Sequence, residues 1–166
     1  MGTESIVTVA FYTFGLVAVG GAVGTVSARR LVHSVLFLLA SFLGVAAIYL
    51  LLGADFLMGV QVLVYAGAIT ILMLFAIMLT PGQVEVRRPT DTPRRVGAGV
   101  VAASFLGIAA YSLISTRFTL ADAARDVPTT EAIGRNLLGA YALPFEMASV
   151  LLLVSMVGAI LIARED

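Results

Sequence analysis

Five separate stretches of this chain run for more than twenty residues with hardly a charge: 5–27, 31–52, 54–80, 96–116 and 143–163. At 1.5 Å per residue, a helix of 21 to 23 residues reaches about 31–35 Å, the thickness of a bilayer core with modest tilt. Every backbone amide in hydrocarbon needs an internal partner, so each stretch is expected to coil. A lipid-facing barrel would show short alternating segments instead, and none is present. The expected fold is all-α: one transmembrane domain over residues 1–166, with five membrane helices.

Composition points the same way. Of the residues, 60% are apolar and 12% charged, and the mean hydropathy is +1.06. Soluble domains carry about 25% charged residues, so this chain has too few polar groups to clothe a water-facing surface. There is no cysteine, which excludes thiolate-held iron–sulfur clusters, disulfides and cysteine nucleophiles. The lone histidine, His33, cannot build a metal or haem site by itself, and the zero net charge gives nucleic acid no foothold. No catalytic or metal-ligating set is found. Met1-Gly2-Thr3-Glu4 has no basic region or small-residue cleavage signal, so the first stretch is expected to remain as an anchor.

Arginine placement sets an expected orientation. Arg29, Arg30, Arg87, Arg88, Arg94, Arg95 and Arg164 would lie on one side. Arg117, Arg125 and Arg135 would lie on the other, balanced by Asp122, Asp126 and Glu131. This puts the N-terminus outside and the C-terminus in the cytoplasm. For helix contacts, Gly20 and Gly24 form a GxxxG pair, and Gly99, Ala103 and Gly107 a small-residue stripe. Both are read either as packing faces or as the glycine enrichment of membrane helices. Gly97-Ala98-Gly99-Val100-Val101-Ala102 matches a loose dinucleotide-binding pattern, but it lies inside an apolar run with no strand before it, and is a coincidence.

Ionisable groups in apolar runs are costly, which makes them the first functional candidates. Asp55 opens the third run and is either a helix N-terminal acid or a proton-exchanging carboxylate at a hydrated path. Glu146 follows Pro144. If Pro144 is the first helical residue, Glu146 falls third, within reach of free amides; if the helix begins near Asn136, Pro144 kinks it and Glu146 lies deeper. Gln61 and Tyr65, four apart, share a helix face and either glue helices together or hold water. His33 reads as interfacial. The third run is too long for an upright α-helix, at about 40 Å, so it must tilt, kink or contain an irregular turn. Tyr65-Ala66-Gly67-Ala68, three small residues after a tyrosine, is where a π-bulge fits most easily.

The stretch from Gly59 to Leu79, with Gln61 and Tyr65-Ala66-Gly67-Ala68, closely resembles the third helix of the J-subunit family of bacterial respiratory complex I, the NADH–quinone oxidoreductase. Ala54-Asp55-Phe56-Leu57 is similar to the start of that helix, Arg30 to Leu36 to the start of the second, and Leu143-Pro144-Phe145-Glu146 and Val157-Gly158-Ala159-Ile160 to the two ends of the last.

The resemblance implies a five-helix subunit of the bacterial cell membrane with no cofactor of its own, packed among the A, K and H subunits and the antiporter-like pumps. NADH, flavin, iron–sulfur clusters and quinone would belong to partner subunits. It further implies that Tyr65, Ala66, Gly67 and Ala68 form a π-bulge switch coupling quinone reduction to proton translocation. Asp55, Gln61, Tyr65 and Glu146 are the candidates for the proton path or its hydration. Some members carry a glutamate where Gln61 stands, so here that position is at most water-organising. The other reading is a non-catalytic scaffold in a related ferredoxin- or reduced-deazaflavin-dependent dehydrogenase or antiporter complex.

Overall fold

A computed structural model describes residues 2–80, 92–116 and 129–164, and all secondary structure among them is helical. The elements are α1 (Thr3–Ser27), α2 (Leu31–Leu51), α3 (Asp55–Val60), a π-helical segment (Gln61–Ile69), α4 (Thr70–Leu79), α5 (Thr92–Ser115), α6 (Thr129–Leu138) and α7 (Ala142–Ala163). α3, the π segment and α4 form one continuous rod, Asp55–Leu79, so among the described residues there are five helices long and apolar enough to cross a membrane. Each begins and ends within a few residues of the apolar run that predicts it.

α1 and α2 form a tight antiparallel hairpin around a turn at Arg29-Arg30. Ser41 Oγ donates to the Ala18 carbonyl at 2.8 Å, and Ser34 Oγ donates to that of Thr25. As one helix advances the other retreats by the same step, which is the antiparallel register. Small residues make the approach close enough for these bonds. A Cβ on Gly21 would stand 2.6 Å from the Ser41 amide nitrogen, and one on Gly44 2.7 Å from that of Ala18. Gly24 makes room for the Phe37 ring, which such a Cβ would meet at 2.6 Å. The contact stripe on α1 is therefore Ala18, Gly21 and Gly24. Gly20, expected to pair with Gly24, meets nothing within 4 Å. Gly20 lies one residue, about 100°, round the helix from Gly21.

The connection from α2 to α3 is a Schellman turn. Gly53 adopts φ +70°, its N–H donates to the Leu50 carbonyl at 3.0 Å, and the Ala54 N–H donates to that of Tyr49 at 2.9 Å. The turn reverses the chain and lays the rod Asp55–Leu79 along α2. α2 is thus the central helix, touching α1 as well as α3, the π segment and α4.

α6 lies in the stretch read from sequence as a polar connection. It is amphipathic: Ala132, Ile133 and Leu137 are half-buried, while Glu131 and Arg135 form an exposed i,i+4 ion pair at 2.6 Å. It touches α3 and, through a turn at 139–141, leads into α7. Among the described residues, α5 touches no other element and α7 touches only α6. The stripe of Gly99, Ala103 and Gly107 on α5 has no partner helix among the described residues: both glycines meet nothing within 4 Å. Arg87, Arg88, Arg117, Arg125, Asp122 and Asp126, used in the orientation argument, lie outside the described residues.

Candidate functional site

The third membrane rod departs from α-helix over nine residues, Gln61–Ile69. This segment takes in Gln61 and all four of Tyr65, Ala66, Gly67 and Ala68. A π turn closes hydrogen bonds over five residues instead of four, which widens the helix and displaces the faces above and below it. The displacement is visible in what is buried. Gln61, Ala66 and Thr70 are 8%, 7% and 4% exposed, while Tyr65 is 43% exposed. The buried stripe thus steps by five and then by four. In a regular helix the four-residue spacing would bring Tyr65 above Gln61; here Ala66 takes that place and Tyr65 swings to the side.

Local sequence accounts for the position of the wide turn. A Cβ at Gly67 would stand 3.2 Å from the carbonyl oxygen of Val62, five residues back. Glycine relieves that crowding, and Ala66 keeps the face toward α2 slim. At the lower end, Thr70 donates twice to the Tyr65 carbonyl. Its N–H is shared between Tyr65 O and Gly67 O, and its Oγ1 donates to Tyr65 O at 2.8 Å.

Gln61 and Tyr65 nevertheless open on the same space. With Tyr49, Phe56, Leu57 and Val60 they line a recess of about 240 Å³ between α2 and the rod. The Tyr65 ring also meets Phe42 of α2 edge-on, with centroids 5.5 Å apart and planes at 68°. Tyr49 and Phe42 are seven apart, so both present to the rod from one face of α2. The Gln61 amide and the Tyr65 hydroxyl have no hydrogen-bonding protein partner among the described residues, and no fully enclosed polar atom is left unsatisfied. Chemically this is a cleft with one amide and two phenols, Tyr49 and Tyr65, able to order water without holding charge.

The two carboxylates sit differently. Asp55 is the first residue of α3, exposed, in the first turn, where the helix dipole favours a negative charge. Its neighbours Phe56 and Leu57 line the recess, but Asp55 does not. α7 begins at Ala142, with Tyr141 as N-cap, so Pro144 lies in the first turn and does not kink the helix. Glu146 is then the fifth helical residue, past the free amides, and exposed. α7 touches neither α3 nor the π segment. Within this chain Gln61 and Tyr65 are brought together, Asp55 stands at the end of their rod, and Glu146 stands apart.

Sequence reasoning missed Phe42, Tyr49 and Thr70. Thr70 carried a signal: it is a polar residue in an otherwise apolar run, nine after Gln61, a spacing that a five-plus-four stripe satisfies. His33 lies at the α1–α2 turn beside Arg29 and Arg30 on a recess of about 270 Å³.

Against known proteins, residues 21–162 match the family model for NADH-ubiquinone/plastoquinone oxidoreductase chain 6. This chain belongs to that family. Within it, the chain is 36% identical over 165 residues to the NAD(P)H-quinone oxidoreductase chain 6 of Synechocystis sp., covering 98% of this chain and 83% of that one. It is 39% identical over 160 residues to subunit 6 of the organellar chromatophore of Paulinella chromatophora, covering 95% and 78%. The F(420)H(2) dehydrogenase subunit J of Methanosarcina mazei is 35% identical over 168 residues, covering 96% and 92%. A chain 6 protein is one subunit of an oxidoreductase complex, so the other subunits of that complex are its partners.

Proposed function

We propose that this chain is a membrane-arm subunit of a proton-pumping NADH:quinone oxidoreductase of the complex I type, and that its π segment couples quinone reduction to proton movement. The observation that carries this reading is the π segment itself, placed over a recess shared by Gln61 and Tyr65. Rewinding one wide turn to α geometry removes one residue's worth of offset. It turns the rod above Gly67 by about 100° relative to the rod below. Tyr65 would then move toward the α2 face, and the recess that can hold water would change shape. Coupling needs two arrangements of similar energy, and a wide turn at a glycine provides them. Protons would pass by way of ordered water. Asp55 is the carboxylate at one end of the path, Gln61 and Tyr65 organise water within it, and Glu146 serves a route shared with a neighbouring subunit.

In this reading the chain carries no redox centre. NADH, flavin, iron–sulfur clusters and quinone belong to partner subunits. It lies in a bacterial cell membrane with its N-terminus outside, beside the A, H and K subunits and the antiporter-like pumps.

Gly67→Val tests the proposal, because a branched side chain there crowds the Val62 carbonyl and disfavours the wide turn. In the assembled complex it is expected to leave quinone reduction in place and to lower the number of protons moved per electron. Pumping at the normal ratio would end the gating role. A second reading is favoured by the 35% identity to the Methanosarcina subunit J: a scaffold subunit in a dehydrogenase of that kind. Under it Asp55→Asn, Tyr65→Phe and Glu146→Gln would all leave coupled turnover intact.

A further inference from the structure

The hydroxyl groups along these helices provide an internal ruler of register. Thr8, Thr13, Thr25, Thr80, Thr116 and Ser155 each donate their hydroxyl to the carbonyl four residues back, at 2.7–2.8 Å. This is the ordinary back-bond of a hydroxyl residue in an α-helix. Thr70 donates to Tyr65, five residues back, at 2.8 Å. It is also 4% exposed, facing α2, so no bulk water can replace the bond.

The two kinds of bond do different things. In α geometry the carbonyl four residues back already has a full amide partner, and the hydroxyl adds a surplus bond. At Tyr65 the amide is shared: the Thr70 N–H divides itself between Tyr65 O and Gly67 O. A carbonyl in a membrane helix whose amide donor is shared is under-satisfied, and the hydroxyl makes up the shortfall. In α register the Tyr65 carbonyl would instead accept from the Ile69 amide, four residues on, and would not need the hydroxyl. The Thr70 hydroxyl is therefore worth more to the wide turn than to the regular helix.

We infer that Thr70 is the positioning residue that holds the Gln61–Ile69 segment in π register, by donating its hydroxyl to the Tyr65 carbonyl. It sets the resting balance between the two helical registers, and through that balance the side on which Tyr65 lies. The inference rests on the reading of this segment as an element with two states.

The experiment is cryo-electron microscopy of the intact complex carrying Thr70→Val, which keeps the shape and removes the donor, beside Thr70→Ser, which keeps the donor. Particles are sorted by the register of residues 61–69. Thr70→Val is expected to lower the π-to-α ratio roughly three- to tenfold, the range for removing one net hydrogen bond from one of two states. Thr70→Ser is expected to hold the π register. A purely packing role for Thr70 would give the opposite ranking, since valine fills the site better than serine. An unchanged π fraction in Thr70→Val overturns the inference; should that variant not assemble, Thr70→Ala removes the same donor with less bulk and is judged by the same criterion. Proton translocation per electron is read on the same samples. A register that shifts while pumping stays normal would leave the role of Thr70 standing and remove the coupling function of the segment.

Discussion

Two glycines show how much of the α1–α2–rod assembly hangs on the absence of a side chain. Gly53 holds φ +70° in the turn that lays the rod along α2. An L-residue in that conformation costs about 1–2 kcal/mol, so Gly53→Ala is expected to lower the thermal stability of the purified complex by an amount in that range while leaving the helices intact. Gly21 acts by contact instead. Its missing Cβ leaves room for the Ser41 backbone, 2.6 Å from where that atom would stand. Gly21→Leu must push α1 from α2 and break the Ser41–Ala18 bond; a loss of about 1–3 kcal/mol is expected, read as reduced incorporation into the complex. Gly20→Leu, facing open space, should be tolerated. Sequence alone showed a GxxxG pair but could not say which of two adjacent glycines faced a partner. Periodicity ranks faces by hydrophobicity, and on a membrane helix nearly every face is apolar.

Among the elements, the rod Asp55–Leu79 was legible in outline and partly in detail. Its length demanded an irregularity, and the run from Tyr65 to Ala68 offered the place for one. What could not be read was the extent, because the wide segment begins at Gln61, before any small residue. The segment packs against α2, where Phe42 and Tyr49 lie 19 and 12 residues before Gln61 in sequence. The edge-on contact between Phe42 and Tyr65 is worth about 0.5–1.5 kcal/mol beyond area. Phe42→Ala is thus expected to free the Tyr65 ring, with a visible spread of ring positions in a structure of the complex. α6 was hidden for another reason: ten residues with an ion pair on the outer face look like a polar loop until α3 and α7 are placed around them.

At the scale of the whole molecule, the described helices do not all pack into one group. α1, α2 and the rod form a packed group, while α5 has no contact with it among the described residues and α7 reaches it only by way of α6. Composition and run lengths gave the number of spans because solvent alone decides that. Which spans touch is decided by small-residue faces, and Gly99, Ala103 and Gly107 find no partner among the described residues. Having no native cysteine, the protein is well suited to site-directed cross-linking. A cysteine at Ala103 is expected to cross-link to another subunit of the complex. A cross-link from Ala103 into α1 or α2 would contradict the open arrangement.

An α5 without neighbours among the described residues has a consequence for the cell that makes it. A copy synthesised in excess would float with the glycine face of α5 turned to acyl chains that cannot pack as tightly as a helix can. Such an orphan keeps its helices but lacks much of the tertiary free energy that would resist a membrane protease. Abundance would then follow the supply of sister subunits and not the rate of translation, a stoichiometry enforced by geometry.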